Sequence, residues 1–163
     1  MELGFALLTI TLNINGVSKK CDVEPGEYLA QVIREKLGMT GTKRGCDTGG
    51  CGMCTVLLDG KPIYSCMTPA WKAEGRKITT IEGVSLGPDV LDPLQRSMID
   101  NFAFQCGYCT GAMILVGKSL LESNPHPSEE EVRRAMCGVL CRCTSYERYI
   151  DAIIEASKAK LSR

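Results

Sequence analysis

The first part of the chain alternates apolar and polar residues with a period of two. Apolar residues occupy every second position from Leu8 to Ile14, Asn15-Gly16 follows, and a second segment runs from Val17 to Val23. Because Asn-Gly favours the two-residue turns that match the twist of paired strands, this pattern predicts a β-hairpin. A later strand from Lys77 to Ile81 is expected to extend the sheet.

Between two predicted hairpins, residues Tyr28 to Leu37 carry apolar side chains at helical intervals, and Gly38 follows as a stop signal. This segment predicts one helix that packs on the sheet. The second hairpin is predicted from three consecutive pieces of sequence: Thr55–Leu58, Asp59-Gly60 and Ile63–Cys66.

The period becomes helical after a segment from Val84 to Val90 that is rich in Gly, Ser, Pro and Asp and predicts a linker. Asp92-Pro93 has the residue types of an N-cap and a first helical position. Four short helices are expected, and two of them begin with the spacing of a capping box. These two boxes pair Ser128 with Glu131 and Thr144 with Glu147.

The pattern therefore predicts an α+β chain of two domains. A sheet domain spans residues 1–83, a linker spans 84–90, and a helical domain spans 91–163. Each half is near the size at which a hydrophobic core alone is marginal, so further stabilisation is expected.

Composition excludes some classes of function. Lys+Arg and Asp+Glu are both 19 and form no basic stripe, which argues against a nucleic-acid partner. The start, MELGFALLTI, has no basic region ahead of its apolar residues and does not resemble a secretory signal. No apolar run is long enough for a membrane span. We therefore expect a cytoplasmic protein, in which clustered cysteines favour metal sites over disulfides.

The segment GCDTGGCGMC, residues 45–54, begins the first of two cysteine groups. Cys46, Cys51 and Cys54 have the spacing C-x4-C-x2-C, and Cys66 follows after eleven further residues, as in plant-type 2Fe-2S sites. A structural zinc site also takes four cysteines, but it prefers paired knuckles. The glycines at 45, 49, 50 and 52 would let the loop wrap closely and aim backbone N–H groups at sulfur.

The second group has two pairs, Cys106-x2-Cys109 and Cys141-x-Cys143, separated by 31 residues. Each pair precedes a predicted helix, so two helix N-termini would converge on one anionic cluster. Zinc remains an alternative for this pattern taken alone. Arg142 either adds positive charge to the site or is a surface residue.

Three further residues are potential ligands by type alone. We expect Cys21 and Cys137 to be buried apolar residues. His126 lies between two prolines and is expected in a solvated loop, and a single histidine excludes a two-histidine Rieske site.

The motifs GCDTGGCGMC, QCGYCTGAM and LCRCTSY together resemble the small iron-sulfur subunit of the xanthine oxidase family of molybdenum hydroxylases. The likeness extends from about residue 7 to 155. It implies a beta-grasp, ferredoxin-like domain with one 2Fe-2S cluster, followed by a four-helix domain with another.

The same resemblance implies site residues and partners. Cys106, Cys109, Cys141 and Cys143 would hold the cluster proximal to molybdopterin, and Cys46, Cys51, Cys54 and Cys66 the distal one. Gln105 and Cys143 match positions that touch the pterin. Molybdopterin (Mo) would be bound by a large subunit and FAD by a medium subunit. The assembly would be a heterotrimer, or a dimer of heterotrimers.

Three positions depart from the family pattern. Gly111 replaces a proline, Val139 an asparagine and Ser145 a glycine. These changes leave the cysteines intact, but they put the packing against the cofactor subunit in doubt. They also suggest a divergent branch with an unusual substrate or acceptor.

The chain has no dinucleotide fingerprint, no P-loop and no nucleophile-base arrangement, so it should not turn over substrate alone. The predicted function is electron transfer, as the non-catalytic subunit of a molybdenum-dependent oxidoreductase of the xanthine dehydrogenase or aldehyde oxidase type. Electrons would pass from the molybdopterin site through both clusters to FAD or another acceptor. One alternative is a free two-cluster ferredoxin, which would run alone in size exclusion; another is a zinc-bearing interaction module, which would be colourless.

Overall fold

The computed structural model describes residues 6–159. The start MELGF, on which part of the signal-peptide argument rests, lies outside the described residues. The helices and strands in chain order are β1 Leu8–Ile14, β2 Val17–Val23, α1 Leu29–Gln31, β3 Thr55–Leu58, β4 Lys61–Tyr64, β5 Lys77–Thr79, α2 Pro93–Asp100, α3 Thr110–Ser123, α4 Glu129–Met136 and α5 Tyr146–Ala159.

Five strands form one mixed sheet in the order β2-β1-β5-β3-β4. The β1–β2 and β3–β4 pairs are antiparallel hairpins, and β1 pairs with β5 in parallel. Both predicted hairpins are confirmed, and their turns use the left-handed backbone that Asn-Gly and Asp-Gly tolerate: φ is 52° at Asn15, 81° at Gly16, 51° at Asp59 and 79° at Gly60.

The predicted helix after the first hairpin is present, with an irregular second turn. One α-helical turn, α1, passes into a π-helical turn over Val32–Lys36, which the Leu37 N–H closes by donating to the Val32 carbonyl. Leu29, Val32 and Ile33 are fully buried against the sheet. This helix therefore supplies the apolar face that a small sheet needs.

The second half forms the expected four helices around a separate core. Asp92 caps α2 by accepting from the Leu94 N–H at 2.9 Å, and Ser128 and Glu131 form the predicted capping box. The predicted box at Thr144 is wrong. Thr144 has a left-handed backbone with φ of 59°, and its hydroxyl donates to the Cys143 carbonyl instead.

The sheet and the helices pack directly on each other. Leu57 of β3 is part of the buried apolar cluster formed by the helices, and Ile81 packs against the same cluster. The Ser119 hydroxyl of α3 donates to the Gly60 carbonyl at 2.8 Å. Residues Leu86 and Val90, within the predicted linker, are exposed, whereas Val84 is buried in the helical core. The cysteine-rich loops lie close to this contact.

Candidate metal centres

The first cysteine group lies in the two segments that flank the β3–β4 hairpin. Cys46, Cys51 and Cys54 lie in the long loop before β3, and Cys66 lies in a short helical turn, Ser65–Met67, directly after β4. The β3–β4 hairpin brings Cys66 back beside Cys54. Cys46 lies beside Cys51 and Cys54 lies beside Cys66, close enough for the two thiols of each pair to interact.

The second group joins the N-termini of two helices. Cys109 immediately precedes α3, and Cys141 and Cys143 precede α5. The Cys143 thiol donates to the Cys106 sulfur at 3.5 Å, and burial together with the nearby Cys141 raises the pKa of the Cys109 thiol. Since helix N-termini carry partial positive charge, both favour an anionic group bound here.

The paired arrangement fits the ligand set of an iron-sulfur cluster. A 2Fe-2S cluster takes two protein ligands on each iron, so two pairs of thiols are the expected ligand set.

Hydrogen bonding and burial shift the pKa values of the thiols in opposite directions. The Thr48 N–H donates to the Cys46 sulfur at 3.4 Å, and hydrogen bonds from the Thr48 side chain and backbone lower the pKa of Cys46 to about 6. Burial raises the pKa of Cys54 and of Cys109 to about 11. Those two buried thiols need a bound metal to become thiolates near neutral pH, because a coordinating metal deprotonates its thiol ligand.

At two loop glycines the surroundings leave no room for a Cβ atom. A Cβ on Gly45 would lie 2.9 Å from the Cys51 sulfur, and Gly52 has φ of 70° with the backbone of Gly138 against it. Gly50 shows neither constraint, since the nearest atom to a Cβ there is the Thr48 hydroxyl oxygen at 3.8 Å. The expectation that the loop glycines permit close wrapping therefore does not apply to Gly50.

Two tyrosines in the first turn of α5 lie at the second group. The Tyr149 hydroxyl is 3.5 Å from the Cys109 sulfur and 2.9 Å from the Thr110 hydroxyl. The Tyr146 hydroxyl accepts from the Cys141 N–H at 2.6 Å. A buried tyrosine needs a partner for its hydroxyl, and this is the signal that could have revealed both residues.

The surface side of the second group carries the residues matched to a pterin contact. Cys106 is exposed and Cys143 is half-buried. The Gln105 side-chain amide is exposed and donates to the Cys143 carbonyl at 2.9 Å. Arg142 is exposed between Cys141 and Cys143.

The cysteines and the histidine outside the two groups lie apart from them. Cys21 is half-buried on β2 rather than fully buried, and His126 is exposed in a loop as expected. The expectation for Cys137 is wrong. Cys137 ends α4 on the solvent side, is exposed, and donates to the Arg134 carbonyl at 3.0 Å.

Two of the three residues that depart from the family pattern are buried. Val139 is 1% exposed and Ser145 is 4% exposed, so neither side chain reaches a surface that a partner could contact. A Cβ at Gly111 would lie 3.4 Å from Ile81, which is ordinary van der Waals contact. The side chains of Val139 and Ser145 therefore pack against residues of this chain.

Two family models match consecutive parts of the chain. A 2Fe-2S iron-sulfur cluster binding domain matches residues 12–80, and a [2Fe-2S] binding domain matches residues 80–154. Together they include both cysteine groups, so the chain carries two domains of iron-sulfur families.

Full-length relatives extend the likeness over most of the chain. The nicotine 6-hydroxylase small subunit of Paenarthrobacter nicotinovorans is 42% identical, with 90% of this chain and 88% of that protein covered. The nicotinate dehydrogenase small FeS subunit of Eubacterium barkeri is 45% identical, with 85% and 88% covered. A chain in the crystal structure of quinoline 2-oxidoreductase from Pseudomonas putida 86 is 47% identical, with a TM-score of 0.91 over 96% of this chain and 97% of that one.

Proposed function

The chain belongs to the small iron-sulfur subunits of the xanthine oxidase family, and from this membership we propose how its own residues serve electron transfer. It is the electron-transfer subunit of an oxidoreductase, and its two domains each bind one 2Fe-2S cluster. When bound, such a cluster takes up and releases one electron at a time. The observation that carries the proposal is that eight cysteines form two groups of four, and that each group consists of two neighbouring pairs.

Each quartet is assigned to one centre. Cys46 with Cys51 and Cys54 with Cys66 would hold one cluster, two thiolates to each iron. This assignment is supported by the proximity of Cys46 to Cys51 and of Cys54 to Cys66 in the sheet domain.

The helical-domain quartet would be arranged in the same way. Cys106 with Cys143 and Cys109 with Cys141 would hold the second cluster. The 3.5 Å distance between the Cys106 and Cys143 sulfurs and the two helix N-termini support it.

We assign the helical-domain centre to the side of a large molybdopterin-binding subunit. Gln105 and Cys143 would contact the pterin, since both lie at the surface and are joined by the hydrogen bond from Gln105 to the Cys143 carbonyl. The exposed thiol of Cys46 lies in the other quartet, which would face the acceptor, FAD on a medium subunit. The chain itself supplies no catalytic residue in this proposal.

The wider organisation follows from the same membership. We divide the chain into a sheet domain of residues 1–83, a linker of 84–90 and a helical domain of 91–163, with the family-model boundary at residue 80 in support. The assembly is proposed as a heterotrimer, or a dimer of heterotrimers, in the cytoplasm. Residues 6–159 include no helix long and apolar enough to cross a membrane.

Purification of the native protein tests the function. We expect the chain to copurify with two larger subunits, and the reduced material to give two distinct paramagnetic centres. A red-brown chain that runs stably alone in size exclusion would instead indicate a diffusible carrier. A colourless protein that contains zinc and no inorganic sulfide would overturn the iron-sulfur assignment.

A further inference from the structure

The loops that bear the two quartets touch through their backbones. The Leu140 N–H donates to the Cys51 carbonyl at 2.9 Å. Cys51 belongs to the first quartet, and Leu140 is the covalent neighbour of Cys141 in the second. A continuous connection of backbone bonds and one hydrogen bond therefore joins a thiol of one quartet to a thiol of the other.

Gly52 brings these two backbones together. A Cβ at residue 52 would lie 2.0 Å from the Gly138 carbonyl oxygen and 3.0 Å from the Val139 Cα. Both are backbone atoms, so no flexible side chain could move aside. Any residue larger than glycine must push the Gly138–Leu140 segment away and lengthen the bond to the Cys51 carbonyl.

Tyr64 fixes the same segment from the other side. Its hydroxyl donates to the Gly138 carbonyl at 2.8 Å, and a Cβ at Gly138 would lie 2.7 Å from that hydroxyl. The tyrosine ends β4, one residue before the helical turn that carries Cys66. Two residues of the sheet domain thus hold the segment before Cys141: Gly52 by close backbone contact and Tyr64 by a hydrogen bond.

We propose that Gly52 and Tyr64 are positioning residues that hold the Cys51–Leu140 hydrogen bond and thereby set the electronic coupling between the two centres. This inference rests on the proposed function, because it requires a cluster at each quartet. With a cluster bound at each quartet, one electron would pass from the helical-domain centre to the sheet-domain centre, and no covalent bond would be made or broken. The residues act by fixing the separation of the ligand loops.

A second connection between the domains provides the comparison. The Tyr108 hydroxyl donates to the Arg44 carbonyl at 2.7 Å, and these residues also neighbour ligand cysteines. That connection passes through a long exposed side chain instead of backbone alone. It should contribute less to the coupling than the Cys51–Leu140 bond.

The experiment compares four variants in the assembled complex. Gly52→Ala and Tyr64→Phe disturb the proposed contact. Gly75→Ala is the control for backbone strain, since Gly75 has φ of 71° and no atom within 4 Å of a Cβ but lies outside both cysteine groups. Tyr108→Phe removes the alternative connection. Each protein is assayed for iron and sulfide, for the paramagnetic spectrum of both reduced centres, and for electron exchange between the centres after a one-electron flash reduction.

We expect Gly52→Ala and Tyr64→Phe to keep both centres, to reduce the spin–spin splitting between them and to slow their electron exchange. The two controls should keep wild-type splitting and exchange. The inference is overturned if Tyr64→Phe leaves exchange unchanged, or if Tyr108→Phe slows it more than Tyr64→Phe does. If Gly52→Ala does not assemble, Tyr64→Phe decides alone. Absence of one centre from the wild-type protein would count against the proposed function instead.

Discussion

The Tyr149 hydroxyl lies 3.5 Å from the Cys109 sulfur, although the two residues are 40 positions apart in the sequence. Tyr149 is 1% exposed, and burial raises the pKa of its phenol, which therefore stays protonated. A thiolate can only accept a hydrogen bond, so the phenol is the donor once Cys109 binds metal. The Thr110 hydroxyl, 2.9 Å away, can then donate to the phenol oxygen.

Replacement of Tyr149 by Phe should lower the reduction potential of the helical-domain centre. A donor to a ligand sulfur stabilises the reduced, more negative state. For a hydrogen bond of about 1 kcal/mol the shift is about 40 mV for one electron. A redox titration followed by paramagnetic resonance measures it, and Tyr28→Phe, whose side chain belongs to the exposed surface of the sheet domain, is the control. An unchanged potential would show that Tyr149 only fills space.

Single cysteine replacements should remove one centre at a time. We expect Cys51→Ser to abolish the sheet-domain signal and Cys141→Ser the helical-domain signal, each with loss of about half of the iron, because each cluster depends on four protein ligands. Iron analysis and paramagnetic resonance of the reduced variants measure this. Cys137→Ser is the matched control, since Cys137 is exposed outside both groups. Retention of both signals in Cys51→Ser would refute the ligand assignment.

Asp92 should be a strong determinant of helical-domain stability. Its carboxylate caps α2 through the Leu94 N–H and also lies 2.9 Å from the Lys118 ammonium of α3. We expect Asp92→Ala to lower the free energy of unfolding by about 2 kcal/mol and Asp92→Asn by about 1 kcal/mol, because asparagine keeps the cap but loses the ion pair. Denaturant unfolding compares them. Equal losses in the two variants would mean that the cap contributes nothing.

The glycine at the start of α3 should be replaceable with a gain in stability. Gly111→Ala is expected to raise the free energy of unfolding by about 1 kcal/mol, because alanine is the better helix former and the new methyl group fits at 3.4 Å from Ile81. Gly117→Ala is the contrast. Its Cβ would lie 3.1 Å from Ile153 and from Leu94, so crowding should cancel the gain. Thermal unfolding of both variants tests the difference.

The contribution of Glu147 to stability should depend on pH. Arg133 bridges α4 and α5 by contacting Glu147 at 2.6 Å, and the hydrogen bond from Arg133 lowers the pKa of that carboxyl group in the folded protein. A depressed folded pKa gives stability that is present above the unfolded pKa of about 4.3 and is lost as pH falls through the lower folded value.

Glu147→Gln should therefore be less stable than the wild type at pH 7, and the two should converge as the pH falls below about 4. Urea unfolding at several pH values measures the difference. Glu130→Gln is the control, since its carboxylate lies 3.7 Å from Arg134 on an exposed face. A difference between wild type and Glu147→Gln that is constant with pH would contradict the assignment.

Local rules predicted those parts of the fold that depend on neighbouring residues. Asn15-Gly16 specified the first hairpin turn because both residues accept a left-handed backbone. Asp92-Pro93 specified a helix start for a similar reason, since each residue type suits its cap position. The Thr144 capping box failed because Thr144 has a left-handed backbone and its hydroxyl donates to the Cys143 carbonyl instead of accepting from the helix.

The candidate site was predictable in composition and less so in detail. Spacing separated the cysteines into two quartets, but it does not say which thiols pair, since the pairing depends on how β4 and α5 return to the loops. The exposure of Cys137 could not be read from a helical period near the end of a helix. The roles of Tyr64 and Tyr149 depend on contacts with residues far away in the sequence, which local patterns do not show.

Leu57 belongs to a strand of the sheet domain yet is buried among the side chains of the helices. Separating the two halves would expose the Leu57 side chain on one fragment and the apolar residues that it packs against on the other. An exchange of one half with that of a relative would therefore need Leu57 and the helical side chains around it to match. Heat or denaturant should therefore melt the whole subunit in one cooperative step.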